Sequence, residues 1–349
     1  IDPKDPPAYS GGDDIVTLIP DPESKHSGEN KISFIEALDK GIIRHQTVAW
    51  FLSRTWDFLI KVGIDPHKIR FRQHANTEMA HYASDCWDCE IKGEYGWIEC
   101  VGIANRTCHD LESHEDASKT NSLRAWRNFE ETRVEEKEKL VPNGSVIGPM
   151  LRSDAKEVVS IIEQFTELPD EIPFEITLSD GRHVLITKEM VERRLETISV
   201  NGEWFIPHVI EPAFGIDRII WHILDHAYEE GEKEGEPYTY LRLAEGISNV
   251  DCIVLPLFDK DGMGELAKDY LRQINSIPNI KSDIDLSKSI GRRYARADEI
   301  GIPWAITVDH TSIEDGSVTI RRRDDQKQVR AGITDVKKHL RDRTMNSLF

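Results

Sequence analysis

One stretch constrains this chain more than any other: His208–Tyr228, HVIEPAFGIDRIIWHILDHAY. It opens on two β-branched residues, Val209 and Ile210, then carries a carboxylate at Glu211, a proline at Pro212 and a glycine at Gly215. From there Ile216, Ile219, Ile220, Ile223, Leu224 and Ala227 recur at helical period, which predicts an apolar helix face, with Gly231 placed to stop the helix. Gly215 sits at the mouth of that helix, where backbone N–H groups lack partners and the dipole favours anions. Arg218 lies one turn in and off the apolar stripe. A strand-end acid, a helix mouth and a guanidinium so spaced suit a ligand with a positive and a negative end: Glu211 for an ammonium, Gly215 and Arg218 for phosphate. They equally suit an ordinary strand–turn–helix with a surface arginine.

Two further blocks run beside it. Arg70–Leu111 reads RFRQHANTEMAHYASDCWDCEIKGEYGWIECVGIANRTCHDL, and Ser289–Val308 reads SIGRRYARADEIGIPWAITV. In the first, Ile69–Gln73 is a short strand with charge on alternate positions. Ala83–Ile91 and Trp97–Ala104 form a hairpin turned by Lys92–Gly96. On the return strand Glu99 is expected to share a face with Trp97 and Val101, where a carboxylate needs a partner or a cation. His74, Glu78 and His81 imitate a metal cluster, but no apolar periodicity supports a helix there, and a polar turn is the plainer reading. Cys86, Cys89, Cys100 and Cys108 invite a zinc reading; yet Cys86 and Cys89 are three apart in a strand and point to opposite faces, so no structural zinc is expected.

The three blocks together resemble a class II aminoacyl-tRNA synthetase, specifically the archaeal/eukaryotic glycyl-tRNA synthetase family, with His208–Tyr228 similar to its motif 3. The resemblance covers nearly the whole chain and is weakest between residues 112 and 200. It implies an α+β fold: the class II antiparallel sheet with flanking helices, in part, and a C-terminal α/β anticodon-binding domain. It implies ATP with Mg²⁺ as cofactors, and glycine and tRNA(Gly) as partners. The full-length protein would be a homodimer in the cytoplasm, away from membranes. Residue by residue, it puts Glu211, Ala213 and Gly215 at glycine, and Glu99, Cys100, Gly215, Ile216, Asp217 and Arg218 at ATP. Glu99 would act through Mg²⁺, and Arg218 on the terminal phosphate. Arg106 lines the same cavity, while Arg292, Arg293 and Arg296 would face tRNA. The family's usual serine two residues after the glutamate is Ala213 here, which removes a hydroxyl near the substrate. Motifs 1 and 2 would precede residue 1, so this chain alone is expected to be inactive. A non-catalytic synthetase-like tRNA-binding or regulatory protein is the alternative.

The expected domains are residues 1–111 and 201–248 for the catalytic core, 112–200 for an insertion, and 249–349 for the anticodon-binding part. Residues 1–30 read as irregular, Ile32–Leu38 and Thr47–Val62 as helices, and Glu112–Leu140 as a charged, solvated appendage. Val158–Phe165 reads as helix, Phe174–Val200 as a strand pair followed by helix, and Glu229–Pro237 as an acidic linker. Beyond it, strands at Cys252–Leu257, Ile280–Ile284, Trp304–Val308 and Ser317–Arg323 alternate with helices around residues 266–274, 290–300 and 333–340, predicting a small mixed sheet covered by helices. No apolar run is long enough to span a bilayer and no signal peptide is evident, and five cysteines are too few for a disulfide framework, which points to a reducing compartment. The net charge of −19 argues against a simple nucleic-acid binder. It is uneven, however: residues 281–349 hold 14 Lys+Arg against 11 Asp+Glu, so basic patches for a tRNA would concentrate there.

Overall fold

In the computed structural model, residues 1–165, 168, 169, 171–233 and 236–342 are described. The chain divides into two compact units. One comprises residues 1, 3–113 and 208–349; the other comprises residue 2 and residues 114–207, against an expected insertion of 112–200.

In chain order the first unit contributes β1 (Ile15–Ile19), β2 (Asn30–Ser33), α1 (Phe34–Asp39), α2 (Gln46–Lys61), β3 (Ile69–Gln73), β4 (Asp85–Gly93), β5 (Gly96–Asn105) and the start of α3 (His109–Ser118). The second unit holds β6 (Ala125–Pro142), α4 (Gly144–Leu151), α5 (Ala155–Glu163), β7 (Phe174–Thr177), β8 (His183–Ile186) and β9 (Val191–Phe205). The charged appendage is therefore largely one long strand, β6, paired antiparallel with β9. The helix expected before Val200 is β9. Its Glu-Arg-Arg-Leu-Glu run favours helix locally, but cross-strand ion pairs such as Lys139–Glu196 and Arg193–Glu138 hold it in the ribbon. This unit's own core gathers Leu140, Ile147, Val158, Ile162, Ile176 and Ile186.

The first unit resumes with β10 (Ile210–Phe214), α6 (Ile216–Ala227), β11 (Tyr228–Lys233) and β12 (Glu236–Leu241). Two expectations are corrected here. The acidic linker is the β11–β12 hairpin, closed in part by the Tyr240 hydroxyl donating to Glu229 at 2.5 Å. The helix ends at Ala227, not at Gly231, which lies inside β11. Then follow β13 (Cys252–Pro256), α7 (Met263–Asn275), β14 (Ser282–Ile284), α8 (Ile290–Glu299), β15 (Trp304–Val308), α9 (His310–Asp315), β16 (Ser317–Arg322), β17 (Gln328–Gly332) and α10 (Ile333–Asp342).

The first sheet runs β10-β5-β4-β3-β1-β2, antiparallel except where β1 meets β3. The second runs β14-β13-β15-β16-β17, parallel on one side of β15 and antiparallel on the other. The fold is α+β, as expected: a mainly antiparallel sheet with flanking helices, joined to a C-terminal α/β domain. Strand alternation decides what each face of the first sheet does. Phe71, Trp87, Cys89, Ile91, Val101 and Ile103 are buried in one core with α1, α2 and Ile219 of α6. The opposite face carries Arg70, Arg72, Cys86, Asp88, Glu90, Gly102, Ala104 and Glu211. No helix among the described residues is long and apolar enough to cross a membrane.

Candidate functional site

A β-bulge organises the polar face. Cys89 pairs with Val101 but Glu90 pairs with Glu99, so Cys100 is the extra residue. Cys100 and Val101 both turn into the core, and Glu99 is thrown onto the polar face opposite Glu90. This corrects the strict alternation expected from sequence: Glu99 shares a face with Trp97 but not with Val101. The carbonyls exposed by the bulge then seat α6. The Gly215 N–H donates to Cys100 O at 2.8 Å, and the Arg218 guanidinium to Glu99 O at 2.7 Å. A Cβ on Gly215 would stand 3.1 Å from that Cys100 oxygen, so close approach, not unusual backbone angles, asks for glycine here. Beneath, the ring of His222, wholly buried, meets Arg218 O at 2.7 Å and Cys100 Sγ at 3.5 Å.

The apolar stripe of α6 divides. Ile219 and Ala227 are buried and Ile223 is partly so, but Ile216, Ile220 and Leu224 are 57%, 50% and 44% exposed. His222 and the half-buried His226 fill the remaining inward positions. Periodicity found the helix but placed its core-facing side too close to Ile216 and Ile220.

Glu211 is inside β10, in register with Ala104, and Ala213 is in register with Gly102. Between Glu211 and the bulge the face is therefore floored by Gly102, Ala104 and Ala213, which carry at most a methyl group. Glu211 Oε2 accepts from Arg106 Nη1 at 2.6 Å; Arg106 Nε reaches Asp110 at 2.7 Å, and the guanidinium lies 4.0 Å over the Tyr82 ring. These two carboxylates push the Arg106 pKa further up, so it stays charged. Two carboxylates against one guanidinium leave this corner one negative charge in excess.

Across the sheet, Arg72 bonds Asp88 at 2.8 Å and Glu78 at 2.9 Å, with Glu90 at 3.3 Å. Arg70 bonds Glu90 at 2.5 Å and stacks 4.2 Å over Trp97. Sequence reasoning missed this network. Its signal was present: basic residues on alternate positions of β3 and acidic ones on alternate positions of β4.

The metal candidates read from sequence separate. Residues 74–84 form turns, Glu78 goes to Arg72, and the His81 ring meets Tyr82 and His109. Cys89 and Cys100 lie in the core, Cys108 reaches Glu112 at 3.1 Å, and all five cysteines are free.

In the C-terminal domain the expected tRNA-facing trio is corrected at Arg293. Its guanidinium is buried and given to the carbonyls of Pro256, Leu257, Asp285 and Lys288. Arg296 pairs with Asp285, and only Arg292 of the three is exposed. The consecutive arginines Arg321, Arg322 and Arg323 are also structural. Arg321 makes a bidentate pair with Asp298 at 2.7 and 2.8 Å, Arg323 caps Gly301 O and Leu243 O, and Arg322 meets Asp325.

Residues 251–343 match the anticodon binding domain family. Over 348 residues the chain is 42% identical to the glycine–tRNA ligase of Methanocaldococcus jannaschii, with 95% of this chain and 59% of that protein aligned. It is 40% identical to the glycine–tRNA ligase of Methanothrix thermoacetophila (95% of this chain, 58% of that protein) and 41% identical to that of Archaeoglobus fulgidus (94% and 56%). The chain thus spans under three-fifths of the length of these curated relatives. A prolyl-tRNA synthetase from Cryptosporidium parvum overlays at a TM-score of 0.43 with 12% identity, covering 89% of this chain and 46% of that one; so distant a likeness decides nothing. With the sheet, the bulge-seated helix and the C-terminal domain in place, identity near 40% along almost the entire chain is decisive: it belongs to the glycine–tRNA ligase family of class II aminoacyl-tRNA synthetases.

Proposed function

We propose that this chain contributes the amino-acid grip, part of the ATP site and the anticodon-binding domain of an enzyme that activates glycine with ATP and transfers it to tRNA(Gly). The observation that carries the reading is Glu211: an exposed carboxylate, one oxygen held by Arg106, beside a floor of Gly102, Ala104 and Ala213 in a corner with one excess negative charge. Arg106 fixes the carboxylate without neutralising the corner, because Asp110 shares it. An ammonium supplies the missing charge. Glycine has no side chain to hold, so selectivity falls to this charge and to the closeness of the walls. Ala213 presents no hydroxyl, and the carboxylate grip stands without one.

The anionic end of the reaction belongs at α6. Gly215, Ile216 and Asp217 form the helix mouth, and Arg218, anchored to Glu99 O, presents the remainder of its guanidinium to phosphate. Class II synthetases use ATP with Mg²⁺. Glu99 suits that ion: it is exposed, stands directly across from Glu90, and has no ion pair among the described residues. Like charges opposed across a ladder cost stability unless a cation joins them. Bound there beside the Cys100 backbone, Mg²⁺ would neutralise phosphate oxygens. The chain's own groups position glycine's carboxylate against the α-phosphate and stabilise charge; no covalent enzyme intermediate is required. At the other domain, Arg292 and the outer edge of Arg296 meet tRNA phosphate, and Arg293 does not.

Glycine-dependent ATP–pyrophosphate exchange on the full-length protein tests the reading. Exchange stimulated by glycine and not by alanine is the expected result. Absence of exchange with tRNA binding intact would instead make this a tRNA-binding or regulatory relative.

A further inference from the structure

The two metal readings of the sequence fail as written, but one member of each meets a third residue. The His74 N–H donates to Cys86 O at 2.9 Å, which sets their side chains side by side across the β3–β4 ladder. Asp88 follows two residues along the same face of β4. One ring nitrogen of His74, the Cys86 sulfur and one Asp88 oxygen all lie within 4.8 Å of one another. His74 Nε2 is 2.9 Å from Asp88 Oδ2. Tetrahedral zinc, with bonds of about 2.0–2.3 Å, needs ligand atoms roughly 3.2–3.8 Å apart, so small side-chain adjustments complete the set.

We propose that His74, Cys86 and Asp88 form a three-ligand site for a thiophilic divalent ion, Zn²⁺ foremost, with its fourth position open to solvent or to a ligand on the polar face.

Three observations converge on it. The donors are an imidazole, a thiol and a carboxylate, a mixture that suits Zn²⁺ or Co²⁺ better than Mg²⁺. Asp88 is buried, and its Oδ2, which meets His74, also accepts from Arg72, itself held by Glu78 and Glu90, so the carboxylate is fixed in orientation. Arg70 and Arg72 pair with Glu78, Asp88 and Glu90, so the network carries one negative charge in excess, and loss of the thiol proton on metal binding makes it two, the charge of one divalent ion. Burial, reinforced by Asp88, Asp85 and Glu99, pushes the Cys86 thiol up to about 12, against Arg72 pulling it down. The free thiol is therefore protonated at neutral pH. Metal binding forms the sulfur–metal bond as the S–H proton leaves to solvent, with no electron transferred, so affinity rises with pH. The His74–Asp88 hydrogen bond gives way to two bonds to the ion.

The site is independent of the glycine and ATP reading, and its test is binding, not turnover. Co²⁺ alone is added to metal-free protein. The expected result is a near-ultraviolet thiolate-to-cobalt band saturating at one equivalent, lost on adding Zn²⁺. Cys86→Ser should abolish the band, and His74→Gln should weaken binding at least about tenfold. Cys108→Ser, which changes the part-exposed thiol outside the cluster, should leave it intact. Circular dichroism checks that each variant folds, and Asp88→Asn gives a second route if Cys86→Ser does not. A band that never forms, survives Cys86→Ser or disappears with Cys108→Ser overturns the proposal.

Discussion

Arginines at the candidate site and arginines of the C-terminal domain have different fates. Beside the first sheet, Arg106 is tethered by Asp110 and Glu211 and Arg218 by a single carbonyl, while Arg70 and Arg72 of β3 are taken up by Glu78, Asp88 and Glu90. At the second sheet, Arg293, Arg321 and Arg323 are buried to within 4% exposure and consumed by carbonyls and carboxylates. The residue type is the same and the clustering in sequence is denser in the second region. What differs is the supply of acceptors. Loop carbonyls left unpaired between strands and helices need donors, and a rigid five-donor fork satisfies several at once. An arginine cluster therefore signals a nucleic-acid surface only where the neighbouring backbone is already satisfied.

The sharpest way to break this comparison is Arg321→Ala. It strips Asp298, almost fully buried, of its bidentate partner and leaves it only the Tyr238 hydroxyl. A loss of about 3–5 kcal/mol is expected in urea unfolding; a loss under about 1 kcal/mol would move Arg321 into the tethered class. Next comes the pair Arg293→Ala and Arg292→Ala. The first removes charged bonds to four carbonyls and should cost about 2–3 kcal/mol of stability. The second should stay within about 0.5 kcal/mol while weakening tRNA binding and flattening its salt dependence by about one unit of slope. Equal stability losses would erase the distinction between them.

At the first sheet, Glu211→Gln should weaken glycine about 10–100-fold, the worth of one charged hydrogen bond, with ATP changed far less. Equal losses for both substrates would detach Glu211 from the ammonium. Gly215→Ala forces a Cβ toward Cys100 O and should cost about 1 kcal/mol in stability, with ATP affinity falling as Arg218 shifts. The smallest effect is a pH slope. Burial lowers the His226 pKa below its ordinary value of 6.5. Its Nε2 faces Lys92 O, while its Nδ1 accepts from the Asp65 N–H and cannot do so once protonated. Its folded form binds protons less readily than its unfolded form, so its contribution is complete above about pH 6.5 and is lost as pH falls through the lowered value. Thermal unfolding between pH 7 and 5 should show this slope, and His226→Gln should flatten it.

Much of the candidate site's geometry was legible because local rules and family resemblance pointed to the same residues. Glu211, Gly215 and Arg218 were singled out by spacing, and Arg106 and Glu99 by resemblance. What could not be read was the bulge at Cys100. One extra residue changes which of Glu99, Cys100 and Val101 faces the core, and single-strand alternation carries no signal for that. The β6–β9 ribbon and the β11–β12 hairpin were unreadable for a related reason. Their charged segments carry no apolar stripe that announces a strand; each is a strand because an antiparallel partner lies alongside and takes up its backbone groups, helped in β6–β9 by single ion pairs such as Lys139–Glu196.

The amino-acid order by itself determined the family, the strand–glycine–helix run at His208–Tyr228, the β4–β5 hairpin and the alternation of strands and helices after Cys252, because each rests on contacts between near neighbours or on long motifs. Only the tertiary structure decided that Arg106 holds Glu211, that Arg293 is buried, and that His74, Cys86 and Asp88 share one face. The first depends on register between β5 and β10, strands distant along the chain, the second on loop carbonyls that the packing of α8 brings to the guanidinium, and the third on the register of β3 with β4; none is set by any one segment alone.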